Sequence, residues 1–445
     1  MRSRFLQLFL LILGLLFSSS CKNSELGIKL DMKIKTLSNG LRVIMLEEHT
    51  MPLVSYQSWL RVGSVDEQPG ITGISHLFEH LMFKGTPNYG PKEFFLQLEA
   101  KGAQVNAFTT RDYTAYYETF VPDLLPKVID MEADRLSNLN LTEEALKTER
   151  QVVLEERRLQ MDNSPAGKIQ EALWALAFTR HPYRWPVIGV PQDVVQLSVQ
   201  QLQNWYKAYY QPGNVTLVVV GDFDSDSVFT LIKKAYEKIE GRKAPQRNIL
   251  EEQEQKEERR LILRDDVASE RFAQAYHVTA ASDDESYAID VLANILFEGT
   301  SSRAYRKLVE EKDVAIGVSG SAYTPTYPGL FISSVSMKAG GASELAERLL
   351  DEVIRGVQES GVTEEEVRVA VKQLTVQLVD SVRTPYGLGQ LIGTVSMILD
   401  DPYRFINDLS KYQKVTPADV KKVAQKYLIP NNRSIVVLVP EKTNR

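Results

Sequence analysis

The chain has 445 residues, 52 lysines and arginines against 58 aspartates and glutamates, a formal net charge of −6, 43% hydrophobic residues and one cysteine. That is a globular composition long enough for two cores, which excludes disordered, collagen-like and disulfide-scaffold classes. Mild acidity without clustered Lys and Arg gives no electrostatic footprint for nucleic acid, so none is expected as a partner.

Residues 1–20 read as a secretory signal peptide: Arg2 and Arg4, an apolar run from Phe5 to Phe17, then three serines. Cys21 follows at once and resembles the acylated cysteine of a bacterial lipoprotein, although Ser18 stands where such signals usually carry Leu. The expectation is an N-terminal tether over 21–31 held to the bilayer through acylated Cys21. That places the chain in the bacterial cell envelope facing the periplasm, at the outer membrane in preference to the inner. The competing reading is an ordinary secretory signal and a soluble secreted or periplasmic protein. With a single cysteine no intrachain disulfide can form.

Beyond the tether, Leu41–Glu47 is a β-branched strand. Gly73–Phe83 has helical spacing, with Thr72 or Ser75 as N-cap. Pro91–Leu98, Leu141–Gln160 and Leu197–Tyr209 are further helices, and Thr216–Val220 is a strand. The stretch Glu251–Arg260 (EEQEQKEERR) is almost wholly charged and reads as part of a solvated linker. Earlier motifs then return. Met82-Phe83-Lys84-Gly85-Thr86 is echoed by Leu296-Phe297-Glu298-Gly299-Thr300, and Leu141-Thr142-Glu143-Glu144 by Val362-Thr363-Glu364-Glu365. Pro212–Val220 is echoed by Pro430–Leu438, so the three separations are 214, 221 and 218 positions. Three matches in order at nearly constant separation predict two copies of one α+β domain, each an antiparallel sheet packed with helices. The domains are expected at 32–246 and 261–445, joined by a charged linker over 247–260.

The chemistry concentrates in His76-Leu77-Phe78-Glu79-His80. His76 and His80 stand i and i+4 on one helical face with Glu79 beside them, while Leu77, Phe78, Leu81 and Met82 cover the rest. Imidazoles and a carboxylate are costly to desolvate unpaired and serve as ligands when gathered, so a divalent metal is the expected partner. Catalytic zinc sites add a third protein ligand. The helix over 141–160 offers Glu149, Glu155 and Glu156, and spacing alone leaves the three tied.

His76–His80, followed by Phe83-Lys84-Gly85-Thr86 and by Glu149-Arg150-Gln151-Val152-Val153-Leu154-Glu155-Glu156, resembles the inverzincin peptidases, the M16 family of pitrilysin, insulin-degrading enzyme and mitochondrial processing peptidase. The resemblance runs from about Met32 to Pro440 and is closest to the shorter bacterial branch. It implies a zinc endopeptidase acting on peptides or unfolded segments, with one Zn2+ per chain held by His76, His80 and Glu156. Glu149 would be a supporting carboxylate behind the ligands, and Glu79 the general base toward water activated by the metal. The run Gly102–Thr110, then Tyr113–Tyr117, is similar to the family's active-site edge strand, which implies that Asn106 and Ala107 hold substrate backbone. His181, in Arg180-His181-Pro182-Tyr183, is read as structural, and His49 and His277 as ordinary residues.

The second copy places Asp290, Ala293 and Asn294 where the first has His76, Glu79 and His80, and Ala370 and Gln377 where it has Glu149 and Glu156. Only the first copy can hold the metal. The family's second half often carries an Arg and, seven residues on, a Tyr that clasp substrate; the matching positions here are Val309 and Ile316, with Arg303, Tyr305 and Arg306 just upstream. In heteromeric members the zinc and that pair belong to different subunits. The implied partner is therefore a homologous second subunit supplying Arg and Tyr, or a second copy in a homodimer. The alternative function is a non-catalytic or partner-dependent scaffold subunit of a heteromeric peptidase.

Overall fold

Residues 30–91 and 93–441 are described by the structure, a computed structural model. The signal segment and Cys21, with its expected lipid, lie outside the described residues. Among the described residues no helix is long and apolar enough to cross a membrane.

In the first half, β1 (Lys33–Thr36), β2 (Arg42–Glu47) and β3 (Val54–Leu60) precede α1 (Ile74–Leu81) and α2 (Glu93–Glu99). The hairpin of β4 (Gln104–Thr109) and β5 (Thr114–Phe120) leads into α3 (Leu125–Asn138), α4 (Glu143–Arg157) and α5 (Pro165–Ala177). The half closes with α6 (Pro191–Gln196), α7 (Val199–Tyr209), β6 (Val215–Gly221) and α8 (Ser225–Tyr236). The second half opens with β7 (Arg259–Asp265), β8 (Arg271–His277), α9 (Glu285–Phe297), β9 (Ala315–Tyr323) and β10 (Leu330–Met337). It continues through α10 (Ser343–Ser360), α11 (Glu364–Ser381), α12 (Pro385–Leu399), α13 (Arg404–Tyr412), α14 (Pro417–Tyr427) and β11 (Arg433–Pro440).

Local chemistry repeats with the topology. Thr142 and Thr363 cap α4 and α11, Ser164 and Thr384 cap α5 and α12, and Ser198 and Thr416 cap α7 and α14. Each hydroxyl accepts the N–H three residues on, a contact that contributes about 1 kcal/mol.

The strands form two sheets, ordered β1-β2-β6-β3-β5-β4 and β7-β11-β8-β10-β9. The α+β class and the duplication follow the sequence pattern. One pair in each sheet nevertheless runs parallel, β2 with β6 and β7 with β11, because the last strand of each half returns after a series of helices to lie beside an early strand, β2 in the first half and β7 in the second. Paired with β2 and β3, β6 is a central strand buried along all seven residues, which is why Leu217–Val220 reads as an unbroken apolar run.

One face of each sheet packs on helices of its own half. The other face is covered by a helix from the opposite half. Ile169, Leu173 and Trp174 of α5 pack on Ala273, Ala275, Val436 and Leu438, while Leu388, Ile392 and Val395 of α12 pack on Ile44, Trp59, Val218 and Val220. The halves therefore exchange helices, and separating them would expose both sheets.

The stretch 247–260 is no freely solvated linker. Arg247 is nearly buried against Asp66 at 2.8 Å, Glu252 accepts the backbone N–H groups of Thr179, Arg180 and His181, and buried Gln255 donates to the Arg433 carbonyl. Arg259 and Arg260 already belong to β7. Arg247, Glu252, Glu258, Arg259 and Arg260 are spent on partners distant in sequence, while Glu251, Glu254, Lys256 and Glu257 stay exposed.

The helix exchange has a tight point where α12 crosses Trp59. A Cβ on Gly393 would lie 2.0 Å from Trp59 Cε2, whereas one on Gly356 of α10 would meet nothing within 4 Å. Gly393→Ala is expected to destabilise by about 1–3 kcal/mol through overpacking. Gly356→Ala should stabilise by about 0.5–1 kcal/mol through helix propensity. Urea denaturation of the two variants should give opposite signs; a stabilising Gly393→Ala would contradict the packing described.

Candidate metal centre

The helix that carries the histidines is fixed at both its start and its apolar face. Gly73 enters α1 with φ +84°, and a Cβ there would strike the Ile188 carbonyl oxygen at 2.7 Å. Neither Thr72 nor Ser75 caps this helix. The N–H groups of Gly73 and Ser75 instead donate to the buried carboxyl of Glu67 at 2.8 and 2.9 Å, and Thr72 bonds Asp193. Burial pushes Glu67 up to about 8, against the pull of those donors. Leu77, Phe78 and Leu81 are buried in the core, which turns His76 and His80 toward α4.

There the three-way tie among glutamates is resolved by geometry. One oxygen of Glu156, Oε2, lies 3.8 Å from His76 Nε2 and 3.4 Å from His80 Nε2. Glu155 is exposed and paired with Arg158. Glu149 is buried behind His80, with Oε2 at 3.4 Å from Nδ1 and Oε1 at 2.5 Å from Lys84 Nζ. Immediately after Glu156 and Arg157, α4 widens into a π turn over Arg158–Asp162, a distortion common at functional sites.

The donor set fits a tetrahedral dication. Ligand atoms of His76, His80 and Glu156 all lie within 4.8 Å of one another. Nitrogen and oxygen ligands on such an ion stand about 3.4 Å apart, which small side-chain shifts would satisfy here. His76 Nδ1 is buried with no hydrogen-bond partner among the described residues, so the ring's polar demand falls on Nε2. Burial and the neighbouring His80 push His76 down to about 4. Burial also opposes a charge on His80, yet the carboxylates of Glu149 and Glu156 overcome it and raise the group to about 9. The contact with His80 holds Glu156 below the ordinary carboxylate range despite its burial. Glu149 is likewise lowered, by His80 and Lys84 against the cost of its burial. The cluster asks for positive charge.

Glu79 points to the other side of the histidines, toward β4. Its Oε2 accepts the hydroxyl proton of Thr109 at 2.6 Å, and burial raises its pKa against that bond. β4 is the edge strand of the first sheet. The Thr110 N–H donates to the Tyr113 carbonyl, so by antiparallel alternation Ala107 and Thr109 turn their own N–H and C=O groups to the open edge. Asn106 is exposed there, and its Oδ1 accepts the Ala107 N–H at 2.8 Å. Lys84 and Thr109 stood inside motifs quoted from the sequence without a role, and Glu67 carried no sequence signal at all.

The remaining histidines sit elsewhere. His181 is buried and accepts the Tyr183 N–H on Nδ1, His277 contacts the Ala177 carbonyl, and exposed His49 lies 2.7 Å from Asp222. In the second half Asp290 accepts from Tyr412 at 2.6 Å, and burial pushes its carboxyl up to about 6. Val309 packs against the second core, and Ile316 is exposed at the start of β9. Arg303 is tied to Glu366 and to the Gly361 carbonyl.

Among the described residues, the two repeated α+β units carry this histidine-and-glutamate cluster in the first only. Residues 42–189 match the family model described as "Insulinase (Peptidase family M16)", and residues 196–374 match that described as "Peptidase M16 inactive domain". The chain belongs to peptidase family M16. It is 35% identical over 284 residues to "Zinc protease PqqE" of Helicobacter pylori, covering 63% of this chain and 64% of that protein, just under two thirds of its length. It is 28% identical over 400 residues to "Uncharacterized zinc protease SCO5738" of Streptomyces coelicolor, covering 88% and 86%. The crystal structure of a protease from Helicobacter pylori superposes with a TM-score of 0.89 at 27% identity, covering 92% of this chain and all of that one. Both of these relatives carry the name zinc protease.

The geometry makes the two helix glutamates separable by metal analysis. Glu156→Gln, which removes the shared oxygen's charge, should leave a folded protein without a stoichiometric ion after dialysis. Glu149→Gln should retain the ion with affinity weakened about 10- to 100-fold. Elemental analysis with a competing chelator reads both, and full retention by Glu156→Gln would remove Glu156 from the ligand set.

Proposed function

We propose that this chain is a zinc-dependent endopeptidase that hydrolyses peptides or unfolded segments, with one zinc per chain held by His76, His80 and Glu156. The observation that carries the reading is the convergence of those three ligand atoms beside a fourth ionisable group, Glu79, held on a different partner. Zinc bound there supplies Lewis acidity toward the scissile carbonyl and lowers the pKa of water.

The chain's own residues do the rest. Glu79 takes a proton from the attacking water on its free oxygen, Oε1, and returns it to the leaving amine. Glu149 and Lys84 fix His80 from behind, setting the ring's orientation and basicity. The open edge of β4 receives extended peptide through the main chain of Ala107 and Thr109. Asn106 must release the Ala107 N–H for that pairing to form.

A second reading, dependence on a homologous partner, is favoured by one observation: neither Val309 nor Ile316 can donate a hydrogen bond from its side chain, and the nearby Arg303 is already engaged. The substrate clasp would then come from another subunit. Material isolated from the native cell should run as a heteromer and hydrolyse peptide several-fold faster than the chain produced alone. Equal rates, with a native mass of one chain, would end this reading.

Glu79→Gln tests the central claim. The amide cannot take the proton, so the rate should fall at least about 10²- to 10⁴-fold while zinc content and thermal stability stay at wild-type values. Hydrolysis of a generic unfolded peptide, followed with and without chelator, measures it. A variant as active as the wild type would refute the assignment of the base.

A further inference from the structure

Thr109 occupies two environments at once. Its side chain donates to Glu79 Oε2 at 2.6 Å, and it is the last residue of β4, with N–H and C=O turned to the unpaired edge of the sheet. A threonine hydroxyl has a single proton, and its destination can be worked out. Thr114 Oγ1 donates to the Val62 carbonyl at 2.9 Å and lies 3.4 Å from Thr109 Oγ1. The Thr114 proton goes to the nearer carbonyl, and the Thr109 proton goes to Glu79. One carboxylate oxygen is thereby held as an acceptor, which leaves Oε1 as the oxygen free to receive a proton.

We infer that Thr109 is a positioning residue that couples the docking of an extended peptide on β4 to the orientation of the Glu79 carboxylate. The inference rests on the peptidase reading and deepens it. A peptide paired with β4 at Ala107 and Thr109 fixes the main chain of Thr109. The β-branched side chain has a stiff χ1, so fixing the main chain fixes Oγ1, and with it Oε2 of Glu79. Binding energy gained several residues from the scissile bond is in this way expressed in the rate of the chemical step. A peptide too short to pair at Thr109 reaches the ligands without this restraint.

The test compares Thr109→Val, Thr109→Ala and Thr109→Ser on two peptides with the same cleavage site, one long enough to pair along β4 and one truncated on that side. Thr109→Val, nearly isosteric but without a donor, should lower kcat on the long peptide about 10- to 100-fold and change KM less than about twofold. Thr109→Ser keeps the donor but loses the β-branch that stiffens χ1, so it should recover part of kcat. The kcat advantage of long over short peptide should collapse in the valine and alanine variants and persist, reduced, in serine. Zinc content and melting temperature, measured on all four proteins, exclude loss of metal or fold as the cause; if the valine variant does not fold, the alanine and serine pair decides. Unchanged kcat in Thr109→Ala or Thr109→Val, or a serine variant no better than alanine, overturns the inference. If Glu79→Gln is inactive while Thr109→Val is fully active, this inference alone falls; if Glu79→Gln is active, the functional reading falls with it.

Discussion

The structure turns on an electrostatic demand. His76, His80, Glu149, Glu156 and Glu79 are drawn into one partly desolvated space in which three carboxyl groups face two imidazoles and Lys84. The two imidazoles respond in opposite directions, His76 driven down by burial and by its neighbour, His80 raised by the glutamates on either side. A pair so arranged accommodates one positive charge between acidic groups, and a dication answers the same demand more fully than a proton. Everything near the cluster serves to hold it: Leu77, Phe78 and Leu81 anchor the helix in the core, Glu67 secures its first turn, and Lys84 balances Glu149.

Holding such a cluster requires a rigid frame, and the exchange of helices provides one. Burying the outer face of each sheet under α5 or α12 gives the sheets apolar contacts on both sides, so the strands behind the site carry a core on each face. The same exchange places α12 across Trp59 and beside β3, next to the strand pair that ends in the open edge of β4. The histidine–glutamate cluster and the open edge of β4 are thus referred to one scaffold. On the peptidase reading proposed above this matters, because catalytic groups misplaced by an ångström lose much of their effect.

Much of this was legible in the sequence, for identifiable reasons. His76 and His80 could be paired because i and i+4 fix their relation within a single helix, and the duplication could be seen because caps and strands return at nearly constant separation. Glu156 could not be separated from Glu149 by periodicity, since seven residues bring both to one face and only the placement of α4 against α1 distinguishes them. Thr109 was invisible as a partner of Glu79 because the contact joins a strand end to a helix 30 positions away. The parallel pairs were hidden because a strand buried on both faces has no alternation to read. The 247–260 stretch misled for a related reason: charge reports an affinity for polar surroundings, which water or the buried Asp66 and exposed backbone N–H groups satisfy equally well.

The duplication also shows why two like halves carry, among the described residues, one histidine-and-glutamate cluster. Burying imidazoles and carboxylates on a core helix is costly unless an ion repays the desolvation. In the second half α9 has taken the other course. Ala293 and Asn294 stand where the first half has Glu79 and His80, the helix is buried along most of its length, and Asp290, at the position of His76, is matched to Tyr412. α9 is a packing element, Val309 packs against the core beside it, and among the described residues the histidine pair stands only where α4 brings a carboxylate to it. The second half is therefore shaped by what it covers, and α12, which it lends to the first sheet, is a direct contribution to the frame of the site.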